Sequence, residues 1–145
     1  MSTDNAIVHP RRSFGAGEPD QGLRRWWVPV TIALAADLFI EAIFAGAMLS
    51  GAPWARAAHA ANAALLILAS LIAGLVGIAV LRRVPHGLRL GLTLLALAVL
   101  VFVQTGLGRA SAHGAQLLWL HVPLGVALVG GAMQSVAVAR RLGEA

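Results

Sequence analysis

Two histidines stand where an apolar chain has least use for them. His59 lies in Ala57-Ala58-His59-Ala60-Ala61-Asn62-Ala63, and His121 in Leu120-His121-Val122-Pro123-Leu124-Gly125. A neutral imidazole is a good axial ligand for haem iron, and two of them can clamp one flat macrocycle from opposite sides. Each histidine is followed one helical turn later by a small residue, Ala63 and Gly125. Ala55 and Ala60 add room around His59. Small residues let a ring approach the backbone closely. Arg56, three residues before His59, and Arg109 are cations able to pair with haem propionates. The pattern points to one b-type haem per chain, ligated by His59 and His121. A histidine in a membrane helix can also serve only as an interhelical hydrogen-bonding group, and that reading stays open beside the first. His113 reads as facing water or a headgroup, and His86 and His9 as solvated.

Asp37 and Glu41 are four residues apart and share one helical face. Acids inside a membrane usually face a bundle interior or a cavity. With Gln104 they form a candidate proton or quinone site. The alternative is a structural contact in which Glu41 and Gln104 hydrogen-bond across the bundle, or docking to another subunit. Asn62, Gln116 and Gln134 read as polar contacts between helices.

These residues need elements to hold them. Of 145 residues, 59% are hydrophobic and only 12% charged. Soluble domains carry about twice that charge and less apolar residue. The composition is that of an integral membrane protein. There is no cysteine, which excludes disulfides, thiolate-held zinc, iron–sulfur clusters and covalent c-type haem. Four apolar runs, about 27–50, 54–81, 88–108 and 114–139, each reach the length of a membrane-crossing helix. They do not alternate as barrel strands would. Short links make consecutive helices antiparallel neighbours. The expectation is an all-α, integral membrane four-helix bundle over residues 26–141, preceded by a flexible tail over residues 1–25. Pro29 suits a first helical turn. Trp26, Trp27, Trp54 and Trp119 suit the membrane interface.

All eleven basic residues are arginine, and the net charge is +5. They sit in short clusters beside apolar runs, which marks them as topology signals and not as a nucleic-acid surface. Arg11, Arg12, Arg24 and Arg25 precede the first run, Arg82, Arg83 and Arg89 flank the second link, and Arg140 and Arg141 follow the last run. Only Arg56 and Arg109 lie at the other two links. The positive-inside rule then places both termini and the middle link in the cytoplasm; the expected location is a bacterial inner membrane.

The halves repeat. Phe39-Ile40-Glu41 and Phe102-Val103-Gln104 each precede a histidine by seventeen or eighteen residues, Glu41 by His59 and Gln104 by His121. Two helical hairpins of one type place the two histidines at similar depth on equivalent helices.

The segments around His59, Gln104-Thr105-Gly106-Leu107-Gly108 and Leu120–Gly125 resemble one half of a haem A synthase, a family built of two four-helix bundles. They also resemble small four-helix bacterial membrane proteins with the same hairpins. The resemblance implies a histidine on the second and fourth helices and haem binding at His59 and His121. The synthases carry an acidic residue closely before the second-helix histidine and an arginine just after it. Here residues 55–60 read Ala-Arg-Ala-Ala-His-Ala. With half the length as well, haem A synthesis is not expected.

No phosphate loop, nucleophile constellation or HExxH pattern is present, so the chain is not expected to be an enzyme on its own. The expected role is electron transfer by a cytochrome b-like protein, with quinol or within a respiratory or photosynthetic complex. A haem-free accessory subunit of a larger membrane complex is the alternative. A small transporter lined by Asp37 and Glu41 is a third.

Overall fold

The computed structural model describes residues 18–144, and within them it is four helices and their links. These are α1 (Glu18–Leu49), α2 (Ala55–Leu81), α3 (Gly87–Ala112) and α4 (Leu118–Arg140). Each contains a stretch long and apolar enough to cross a bilayer, beginning at Arg25 in α1. The chain is a multi-pass, all-α membrane four-helix bundle.

Links of only five residues, 50–54, 82–86 and 113–117, force successive helices to run antiparallel. α1 also packs on α4, closing a square in which α2 and α4, like α1 and α3, lie on a diagonal and have no Cα atoms within 8 Å of each other. One end of the bundle carries the α1–α2 and α3–α4 links and is called here the histidine end. The opposite, arginine end carries the α2–α3 turn and the C-terminal residues, tied together by Gly143 N–H donating to the Pro85 carbonyl at 3.3 Å.

Several boundaries differ from expectation. α1 begins at Glu18, so residues 18–25 are helical, and Pro29 lies well inside the helix. The rest of the expected tail, with His9, Arg11 and Arg12, lies outside the described residues. α3 does not stop at Gly108 but runs one more turn to Ala112, because a helical glycine weakens a helix without ending it. Arg109 is therefore in the last turn of α3 and not in a loop. Arg56 is likewise in the first turn of α2. Trp26, Trp54 and Trp119 are exposed, as interface anchors would be. Trp27 is not among them: it is buried, its ring tip resting where a side chain on Gly77 would stand, 3.3 Å from that ideal Cβ position.

α2 and α3 approach through glycines. A Cβ on Gly91 would lie 2.8 Å from the Ile78 nitrogen, and one on Gly77 would lie 3.3 Å from the Gly91 Cα. Small residues at such a seam bring backbones together, which is how helices gain contact in a solvent that offers no hydrophobic drive between them.

Two apolar layers fill the bundle. Trp27, Leu34, Leu81, Leu90, Leu94, Val138, Ala139 and Leu142 pack at the arginine end. Ala35, Leu38, Leu66, Leu97, Val101, Leu128, Ala132 and Val136 form the middle. The inward positions recur every three or four residues, as a helix facing one neighbour requires. In α1 they run Trp27, Thr31, Leu34, Leu38, and the next is Glu41. In α3 they run Leu90, Leu94, Leu97, Val101, and the next is Gln104. In α2, read from Leu66 toward the histidine end, they reach Asn62, Ala63 and His59. In α4, read from Leu128, they reach Gly125 and His121. The third layer of the bundle is polar.

Candidate functional site: a polar layer with two histidines

Helical spacing brings one polar group from each hairpin partner into this layer. Glu41 of α1 meets His59 of α2, with Oε1 3.0 Å from the ring Nδ1. That approach is close without the alignment of a hydrogen bond, since Nδ1 remains formally unbonded. The main-chain carbonyl of Glu41 faces the same ring, and the Asn62 side chain lies beside the Glu41 carboxyl. Side-chain exposure is 14% for Glu41 and 21% for His59, so both are largely withdrawn from the surface.

The second hairpin repeats the arrangement with an amide. The Gln104 Nε2 donates to the His121 carbonyl at 2.7 Å, and the His121 Nδ1 stands 3.0 Å from the Gln104 carbonyl oxygen. A carbonyl only accepts, so Nδ1 carries the proton in this contact and Nε2 is left without a partner there. Gly108, one turn beyond Gln104, makes the fit possible: a Cβ there would lie 2.9 Å from the His121 Cε1. Gly125 plays the same part for the amide, since its Cβ would be 3.0 Å from the Gln104 Nε2.

In each hairpin, then, the histidine is addressed through Nδ1 by the residue at the equivalent position of the preceding helix. Neither Nε2 has a hydrogen-bond or ion-pair partner among the described residues. The two rings come from diagonal helices, and His121 lies within electrostatic range of His59. The two equivalent helices that carry them are not neighbours, because α1 and α3 each stand between α2 and α4. Several polar atoms of the layer are buried without a partner: Glu41 Oε2, Asn62 Nδ2 and Gln104 Oε1. Such orphans are uncommon in a protein interior and cost free energy where they stand.

The other expected residues fall into place around this layer. Ala63 is buried below His59 on the same face. Asp37 is half-buried one turn from Glu41, toward the middle of the bundle, and close enough to interact with it electrostatically. The expected side-chain hydrogen bond between Glu41 and Gln104 is not formed, because each turns to the histidine of its own hairpin. Arg56 and Arg109 are both exposed at the histidine end and make no ion pair among the described residues. His113 closes α3 and is exposed, and His86 is exposed in the α2–α3 turn. Among the described residues no three His, Asp or Glu side chains converge as a cage for a bare metal ion.

Two members of the site were not singled out from the sequence. Asn62 looked like an ordinary interhelical contact, and its place three residues after His59 on the same face was the available signal. Gly108 looked like a helix end, and its position four residues after Gln104 was the signal there.

No protein-family model, curated protein or solved structure matches this chain.

Proposed function

We propose that the polar layer holds one b-type haem, with His59 and His121 as its axial ligands, and that the protein carries electrons within the membrane. The observation that supports this most is that both rings are engaged through Nδ1. Ligating histidines characteristically offer Nδ1–H to a carbonyl or carboxylate and keep Nε2 for the metal. Both rings here have an oxygen at Nδ1 and an unpartnered Nε2. Two protein ligands suffice for a macrocycle that brings four nitrogens of its own, whereas a bare ion needs more.

The chain's own residues supply the rest. Gln104 fixes the position of α4 against α3 and so the height of His121. Glu41 sets the charge beside His59 and, with Asp37 one turn along, offers a place where a proton can be taken up near the site. Arg56 and Arg109, at the same end, provide cations for carboxylates of a bound group. Bound haem supplies the one-electron chemistry. The resemblance to half of a haem A synthase agrees in the placement of the two histidines. By the positive-inside rule the arginine end faces the cytoplasm, which sets this layer in the outer half of a bacterial inner membrane. Quinol, or a larger respiratory or photosynthetic complex, is the proposed electron partner.

A visible spectrum tests the proposal. The full chain, purified after expression with haem supplied, is expected to show sharp reduced bands of a six-coordinate b-type haem. These bands should disappear in His59→Ala and in His121→Ala. A colourless wild-type protein, with both variants still inserted and helical, would refute haem binding and leave the accessory-subunit reading.

A further inference from the structure

At the arginine end, α3 and α4 part to leave a cleft of about 50 Å³ lined by His86, Arg89, Gln134, Ala137, Val138 and Arg141. Among the described residues no carboxylate lines it and neither arginine is ion-paired. Gln134 lies on α4 seven residues before Arg141, which caps that helix, with Ala137 between them keeping the wall low. Arg89 is the third residue of α3, and His86 caps the start of that helix.

We infer that this cleft binds the phosphate of an anionic phospholipid. Its position decides the source of the phosphate. The apolar spans end at Leu81 and Arg140 and restart at Gly87, so the cleft lies at headgroup depth. Apolar side chains continue from it along the helices toward the bilayer centre, with Leu88 and Leu92 on α3 and Met133 on α4 exposed at 47%, 52% and 59%. A phosphate held by Arg89 and Arg141 would therefore leave its acyl chains beside exposed apolar side chains of α3 and α4. Guanidinium groups match phosphate oxygens in pairs, and basic pockets between membrane helices recognise acidic headgroups in this way. A volume of this size suits a compact tetrahedral group and not a folded peptide.

Lipid retention on the intact, detergent-purified chain tests the assignment. Native mass spectrometry after incubation with equal amounts of phosphatidylglycerol and phosphatidylcholine is expected to show about tenfold preference for the anionic lipid. The double variant R89Q/R141Q should bring that preference close to parity. Ala137→Leu, which narrows the cleft and leaves every charge in place, should also reduce it. The pair R56Q/R109Q, at the opposite end, should not. No preference in the wild type would overturn the inference. So would an undiminished preference in both cleft variants, or an equal loss in R56Q/R109Q, which would mean diffuse attraction to the whole basic chain. Retention of millimolar inorganic phosphate with no retention of lipid would assign the cleft to a soluble anion and overturn the lipid assignment.

Discussion

Gln104 and His121 hold each other in both directions: the amide donates to the histidine's carbonyl at 2.7 Å, and the imidazole Nδ1 meets the glutamine's carbonyl at 3.0 Å. The two contacts have different origins, one from a side chain and one from the backbone, and can be separated. Gln104→Ala removes the amide donor and leaves the carbonyl that orients the ring. The expected result is a loss of about 1 kcal/mol in bundle stability, the size of a hydrogen bond between membrane helices. Reversible unfolding in mixed micelles measures it. Retention of the reduced bands in the same variant would show that the backbone carbonyl is sufficient to orient His121.

Gly108 and Gly106 form a matched pair of probes. A methyl group at Gly108 meets the His121 ring at 2.9 Å, whereas one at Gly106 meets nothing within 4 Å. Gly108→Ala should push the ring aside and cost about 1–3 kcal/mol, as overpacking does. Gly106→Ala should be neutral or stabilise the helix by up to about 1 kcal/mol. Thermal unfolding followed by circular dichroism compares them. A haem spectrum altered in Gly108→Ala and unchanged in Gly106→Ala would tie the effect to the ring and not to the helix.

The α2–α3 seam offers a test of the fold that does not depend on any cofactor. A Cβ on Gly91 would collide with both the backbone nitrogen of Ile78, at 2.8 Å, and its Cγ1, at 2.6 Å. Backbone cannot move aside as a flexible side chain can, so Gly91→Ala should cost about 2–3 kcal/mol. Gly46→Ala, with nothing within 4 Å, is the control. Equal stability of the two variants would contradict the close approach of α2 and α3.

The two hairpins differ in charge at equivalent positions, and Glu41→Gln removes the difference. If His59 holds haem as proposed, a carboxylate beside it would favour the more positive, oxidised iron. Its replacement by an amide should raise the midpoint potential and flatten its dependence on pH. Redox titration at several pH values reads both effects. An unchanged potential at every pH would mean that Glu41 does not touch the electronics of the site.

The absence of cysteine makes the topology directly measurable, because any introduced thiol is the only one. Ala115→Cys lies in the α3–α4 link and Arg83→Cys in the α2–α3 turn. Both native side chains are exposed. A membrane-impermeant maleimide added to intact cells should label position 115 and should reach position 83 only after the membrane is opened. The reverse pattern would invert the proposed orientation.

Reading residues in order was enough for the helices. Apolar runs of membrane length, short links and the spacing of arginines depend only on neighbours along the chain, and bilayer thickness does the rest. His59 and His121 could be named as a pair because two similar hairpins put them in equivalent places. Three things required the folded bundle. That α2 and α4 are diagonal follows from α1 closing onto α4, a contact between the two ends of the chain. That Glu41 and Gln104 each turn to a histidine, and not to one another, follows from the distances across the square. That Gly108 is a seat for an imidazole, and not a helix end, follows from what stands opposite it on α4. Local pattern encodes the number and length of the helices, but in helices apolar nearly all round it does not mark the inward face. What that face meets is a property of the neighbouring helix, and only the packing of all four decides it.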